Sequence, residues 1–345
     1  MKCLDLSESY NIDDEGAVAI FSASVKSRSL KSLNLSLTDI QSSGWVKGFQ
    51  VMLDFELTLE ELILEENGID DIGAALLFEV LGVNKSLIAL NMQMNESITS
   101  AGWVACFRLL LHSGFALKKL FLDWNNIDDE GAAMLVELLA SNKTMNVLTL
   151  GGNNHISIDG WYRLADILHP TSLSTLKELT IGNYWDEPST EVDELVLYIA
   201  EMLKINTKLE VLDFWGYANL SPICWNALSK AFCDESSIVN TCLSNHTLRA
   251  MEDDKAILDG SVDEELPSSL RSLLKMNHKA NKGDVVRDKI VTFCLTDDTI
   301  VGAAFADAAT TSMPSVIGCI GKNRLGFSAM FHLVRSMPWL VDSNV

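Results

Sequence analysis

Positive charge is scarce in this chain of 345 residues: 26 lysines and arginines stand against 47 aspartates and glutamates, a formal net charge of −21. Nucleic acid and anionic membrane both require a basic surface, so neither is expected as a partner. No apolar run approaches the roughly 20 residues that a membrane-spanning helix needs. The opening residues, Met1-Lys2-Cys3-Leu4-Asp5-Leu6, do not read as a secretory leader, because Asp5 interrupts them and no apolar core follows. The seven cysteines are scattered and none forms a Cys-x-x-Cys pair. An odd count in a long chain favours free thiols in a reducing compartment, and a cytoplasmic location is expected. None of the six histidines is paired at metal-ligand spacing or sits beside a nucleophile in a known motif. Gly151-Gly152-Asn153-Asn154 and Gly318-Cys319-Ile320-Gly321-Lys322 lack the full spacing of a phosphate loop. No enzyme chemistry, cofactor or metal is expected.

What the chain does have is one word repeated eight times. The clearest copy runs from Leu117 to Gly131: Leu117-x-x-Leu120-x-Leu122-x-x-Asn125-x-Ile127, then Asp128, Asp129, Glu130 and Gly131. Copies begin at Met1, Leu30, Leu59, Leu87, Leu117, Met145, Leu176 and Leu209, at steps of 29, 29, 28, 30, 28, 31 and 33 residues. Alternation within the word predicts a short strand. After each glycine the apolar residues recur at helical steps, as in Gly131, Leu135, Leu138 and Leu139. Carboxylates ahead of the glycine meet the positive end of that helix, and the glycine is expected to let the helix sit close on the strand behind it.

The units also alternate in pairs. Odd units carry Ile-Asp-Asp ahead of the glycine and place Ala17, Ala74 and Ala132 after it; even units carry Gly-Trp, giving Trp45, Trp103 and Trp161 at intervals of 58 residues. Large beside small at equivalent places predicts interlocking of neighbouring helices, in preference to an aromatic binding stripe. The asparagine after the strand, present as Asn67, Asn95, Asn125 and Asn153, is expected to bond turn backbone; Tyr184 and Tyr217 stand there in the last two units.

This alternation of two unlike units with long helices, over Met1 to Cys233, resembles the ribonuclease-inhibitor-like class of leucine-rich repeats. The resemblance implies an α/β fold: a right-handed solenoid (horseshoe) with a parallel concave sheet, convex helices and a C-terminal helical cap. The expected division is repeats over 1–235, a degenerate repeat and acidic loop over 236–265, and the cap over 266–345. Asn245-His246-Thr247-Leu248-Arg249 looks like a ninth strand that never completes. Helices are expected over Pro267–Met276, Asp284–Cys294 and Ser328–Met337. Met1 already begins a strand word, so the chain is expected to be a monomer or part of a larger protein.

Residues between the strand leucines are expected on the concave surface. Acidic residues recur there, and aromatics gather toward one end. The candidate partner-binding set is Glu61, Glu65, Phe121, Asp123, Trp124, Glu178, Trp185, Asp213, Trp215 and Tyr217. Aromatic anchors ringed by carboxylates suit another protein with a basic surface; the alternative is a merely well-solvated acidic face. A non-catalytic interaction scaffold is therefore expected. Two alternatives remain open. One is a GTPase-activating protein of the leucine-rich-repeat type, which by resemblance needs an arginine or asparagine on an N-terminal turn; no residue here is assigned that role. The other is the sensor part of a larger regulatory protein.

Overall fold

The computed structural model describes residues 2–294, apart from 56, 173, 183–188, 215–219, 237, 252–266 and 280. The expected helix at Ser328–Met337, the acidic loop, Tyr184 and Tyr217 lie outside the described residues. The chain divides into two compact units, Met1–Glu191 with Leu212–Asn219, and Val192–Val211 with Leu220–Val345.

In the first unit strand and helix alternate without exception. The strands are β1 (Cys3–Asp5), β2 (Ser32–Asn34), β3 (Glu61–Ile63), β4 (Ala89–Asn91), β5 (Lys119–Phe121), β6 (Val147–Thr149) and β7 (Glu178–Ile181). Between them run α1 (Asp14–Lys26), α2 (Ser42–Asp54), α3 (Asp71–Val83), α4 (Ser100–Leu111), α5 (Asp129–Ser141) and α6 (Ile158–Ala165). With β8 (Val211–Phe214) the strands form one open sheet in sequence order. From β1 to β7 each strand pairs in parallel with the next, and the central leucines Leu33, Leu62, Leu90, Leu120, Leu148 and Leu179 stand in register. They are at most 2% exposed, so the expected inward ladder is the core.

Trp45, Trp103 and Trp161 are 0–1% exposed, which settles their role as packing. Trp45 stacks on Phe49 and Trp103 on Phe107, with centroids 5.6 and 5.7 Å apart, while Phe21 and Phe78 of the preceding helices meet the indoles edge-on. In the third pair the corresponding positions are Val136 and Ala165. Val136 there lines an open cleft of about 340 Å³ with Ala140, Ile167 and His169. The helix α6 is also shorter than α2 and α4. It tightens into a 3-10 turn at Asp166–Leu168, and His169, which precedes Pro170, is held extended at ψ 138°.

The paired aspartates have separate duties. Asp13, Asp70 and Asp128 cap their own helices by accepting from Gly16, Gly73 and Gly131 N–H at 2.8–3.0 Å. Asp14, Asp71 and Asp129 reach to the next repeat, accepting from the N–H groups of Gln41, Thr99 and Ser157 at 2.7–3.0 Å. A Cβ at Gly102 or Gly160 would overlap the carboxylate of Asp71 or Asp129. In even units, then, the glycine makes room for a neighbouring carboxylate rather than for the strand behind, which corrects the simpler expectation. Bonding to the Ser43 hydroxyl holds the Asp14 carboxyl below its ordinary range.

The second unit contains α7 (Thr190–Ile205), α8 (Pro222–Phe232), α9 (Ile238–Leu243), α10 (Ser268–Asn277) and α11 (Lys282–Lys289), which runs into a π-helical turn at Ile290–Cys294. The capping device persists: Asp193 accepts from Ser221 N–H at 3.3 Å. Cys224 stands in the place of the glycine and donates its thiol to Asp193 at 3.1 Å. The ninth strand word stops at an isolated bridge, as its incomplete pattern suggests: Arg249 N–H donates to Glu210 O at 2.8 Å and Ala250 bridges Val211 in parallel, with no strand formed there. Asn277 of α10 donates to Leu248 O at 2.5 Å, much as Asn245 donates to Leu203 O at 2.7 Å. Lys289 is fully buried and donates to the carbonyls of Phe232 and Asn245 at 2.5 and 2.9 Å.

Candidate functional site

Because strand side chains alternate, the residues flanking each central leucine come to the opposite side of the sheet from the core. The register sets Ser32, Glu61, Ala89, Lys119, Val147 and Glu178 in one row, and Asn34, Ile63, Asn91, Phe121, Thr149 and Thr180 in the next. With strands about 4.8 Å apart, Glu61 and Glu178 bracket Lys119, each roughly 10 Å away. The first row is therefore acid, base, acid rather than uniformly acidic. Glu61 is exposed and accepts from the Ser32 hydroxyl at 2.7 Å. Glu65, Phe121, Glu178 and Asp213 are half-buried. Trp185, Trp215 and Tyr217 lie outside the described residues.

Asp123 departs from expectation. It is 3% exposed and so is not a surface carboxylate. One oxygen accepts from the side chains of Gln93 and Thr149, and the other from Gly151 N–H at 2.8 Å. The cause is the step from strand to turn, where the next repeat folds its backbone N–H under the side chain. Burial pushes the Asp123 carboxyl above its ordinary range, and the bonds from Thr149, Gln93 and Gly151 act against that rise. Asn91 extends the network, donating to Glu65 at 3.0 Å and accepting from Gln93 N–H at 2.9 Å. The chain Glu65–Asn91–Gln93–Asp123–Thr149 fixes side chains across four repeats and presents Phe121 on a pre-organised background. Gln93 and Thr149 carry no charge or aromatic ring, so sequence reading passed over them.

A second row was also missed. Glu8, Leu37, Glu66, Met94 and Trp124 all hold φ between 51 and 57°, followed at the same place by Gly152 at 72°. Each donates its N–H to a carbonyl of the next repeat at 2.8–3.0 Å, which requires the left-handed turn. Trp124 is half-buried, and its indole lies so close over Gly152 that a Cβ there would be 2.7 Å from Cδ2. The one glycine in this column was the available signal. The four asparagines are buried in the turns as expected; Asn125, for example, donates to Met92 O and Leu122 O at 2.9 and 3.0 Å.

Among the described residues no cluster of His, Cys, Asp or Glu is placed to hold a metal ion. No helix among them is long and apolar enough to cross a membrane.

Repeat, register and buried leucine ladder together define the class: the chain is a leucine-rich-repeat protein with a solenoid of parallel strands and helices. A model described as "Leucine Rich repeat" matches residues 26–46, 57–78 and 117–136. The chain is similar to the "Protein phosphatase 1 regulatory subunit 37 homolog" of Caenorhabditis elegans, 24% identical over 200 residues, covering 57% of this chain and 20% of that protein. It thus spans about a fifth of that relative's length. Among solved structures it is similar to a chain of "Crystal structure of Rad7 and Elc1 complex in yeast", at 19% identity and TM-score 0.40, covering 66% of this chain and 60% of that one. It is also similar to "Leiomodin-1 Actin-Binding Site 2 (ABS2)", at 22% identity and TM-score 0.28, covering 43% and 69%. At these scores neither structure carries an argument about this chain. The repeats and the regulatory-subunit relative support a protein-interaction scaffold.

Proposed function

We propose that this protein is a non-catalytic scaffold of the ribonuclease-inhibitor-like class. It binds another protein, one with a basic surface, through the face of the sheet turned away from the helices. The observation that carries this reading is the in-register array of Glu61, Ile63, Phe121 and Glu178, exposed or half-buried, on a hydrogen-bonded background spanning four repeats. Phe121 supplies an apolar anchor and the carboxylates a rim, the division found in protein interfaces. A net charge of −21 favours encounter with basic partners and makes the rate sensitive to salt. The relative's designation as a regulatory subunit agrees with a protein that acts by binding. A cytoplasmic setting fits the cysteine usage.

The test is capture from the source-cell extract with three forms of the full chain: unaltered, Glu61→Lys with Glu178→Lys, and a helix-side control, Glu79→Lys in α3. The same band should be retained by the first and third forms and lost from the second, and elution should be easier at high salt. Equal retention by all three forms overturns the reading.

A further inference from the structure

We infer that the cleft between α5 and the turn after α6 takes the tyrosine side chain of a second protein. It lies on the helix side, across the sheet from the strand rows, so it serves a partner other than the one bound there. The inference goes beyond the scaffold reading and stands without it.

The repeats themselves supply the first observation. In the first two pairs of units a phenylalanine from each of two neighbouring helices meets its counterpart: Phe21 with Phe49, and Phe78 with Phe107, at centroid distances of 5.6 and 6.2 Å. All four rings are 0% exposed. The third pair holds Val136 and Ala165 at those places. Leu164, where Gly48 and Cys106 stand, restores part of the lost volume. The 3-10 turn restores more, since it draws Ile167 in to 6% exposure where Leu109, at the same place one pair earlier, is 36% exposed. The remainder is the open cleft of about 340 Å³, with Val136, Ala140 and Ile167 as its apolar floor. An apolar space stands where this fold elsewhere packs an aromatic ring.

The rim gives the second observation. Asp166, His169 and Thr171 line the same cleft. Thr171 N–H donates to His169 Nδ1 at 3.3 Å, and the Thr171 hydroxyl lies 2.7 Å from the same nitrogen. The neutral imidazole therefore carries its proton on Nε2 and offers it as a donor. Asp166 adds a carboxylate, and α6 ends there, with the negative pole of its backbone dipole. A phenol matches both groups, because its hydroxyl accepts from the imidazole and donates to the carboxylate. An anionic ligand meets like charge at this rim, and a plain phenyl ring uses neither group.

The third observation separates a protein from a free phenol. The cleft is lined only by α5 and residues 166–172, and Ala140, Asp166, His169 and Thr171 are exposed. A ring laid there is covered on one side. Small ligands are buried over most of their surface, whereas an aromatic anchor is covered on its outer side by the protein that carries it.

The experiment titrates the full chain by saturation-transfer NMR with the acetylated, amidated peptide Gly-Ser-Tyr-Ser-Gly, with its phenylalanine and phosphotyrosine counterparts, and with p-cresol. The tyrosine peptide is expected to bind about fivefold more tightly than the phenylalanine peptide, the worth of a hydrogen-bonded hydroxyl. The phosphotyrosine peptide should give no transfer. Ala140→Phe, at an exposed position, should abolish binding without lowering the melting temperature. Val136→Phe with Leu164→Cys, the arrangement of the second pair, should also abolish it. His169→Leu should bring the tyrosine peptide to the level of the phenylalanine peptide and leave the latter unchanged. No transfer from the tyrosine peptide at millimolar concentration, equal binding of the tyrosine and phenylalanine peptides, or binding that survives Ala140→Phe overturns the inference. Binding of p-cresol without the peptide assigns the cleft to a free phenol, and self-association abolished by Ala140→Phe assigns it to a second copy of this chain; either result overturns docking of a partner's tyrosine. None of these outcomes bears on Glu61→Lys with Glu178→Lys, which tests the sheet face alone.

Discussion

The indole of Trp103 is wholly buried between Phe78 and Phe107, so its volume is structural. Trp103→Ala should cost about 3–5 kcal/mol in urea unfolding, the range for large aromatic truncations in a core. Trp161 lacks both ring neighbours, with Val136 and Ala165 in their places, and its truncation should cost less. Asp123 is a further case in which one side chain holds several repeats together. Asp123→Ala leaves Gly151 N–H and the Gln93 and Thr149 side chains without their acceptor, and about 1–3 kcal/mol should be lost. Sequence placed Asp123 on the surface because alternation along the strand says so. It could not show that the following repeat supplies a backbone donor that draws the carboxylate in.

At the level of elements, neighbouring repeats are tied by hydrogen bonds to one aspartate. Asp129 accepts from both the N–H and the hydroxyl of Ser157 at 2.8 and 2.7 Å, and Ser157 in turn caps α6 through Gly160 N–H. Asp129→Ala removes the acceptor of both Ser157 bonds at a partly exposed site and should destabilise by about 1 kcal/mol. Gly160→Ala should cost more in the presence of Asp129 than in Asp129→Ala, a coupling that a double-mutant cycle of melting data reads directly. Strand, helix and pairing were legible in the leucine and glycine spacing, because burial enforces that period in every unit. The division of labour within each Asp-Asp pair was not, since both residues look alike to a dipole argument. In the second unit Lys289 offers a pH test. Burial, with Lys282 nearby, lowers its amine to about 7, and burial lowers His246 to about 4, so a neutral imidazole accepts from Lys289 at 3.2 Å. The unfolded chain holds the lysine proton up to about 10.5, so this site opposes folding most below pH 7 and progressively less as pH rises toward 10.5. The melting temperature of Lys289→Met relative to the unaltered chain should therefore be highest near pH 6 and fall by pH 9; a difference independent of pH would contradict the assignment.

For the molecule as a whole, a ladder of dry leucines frees the other side of the sheet to carry variable residues, and recognition chemistry collects where packing does not dictate identity. That logic put Glu61, Phe121 and Glu178 on the strand rows where the register places them, while the left-handed row stayed hidden, because backbone geometry repeats there without a repeating residue type. The most direct test of partner binding is site-specific photocrosslinking. A benzophenone side chain placed at Ile63 or Phe121, and separately at Glu79 or Glu137 on the helices, is irradiated in source-cell extract. The account predicts one shared crosslinked protein from the two strand positions and none of it from the helix positions. Crosslinking of that protein from the helices alone would contradict the account.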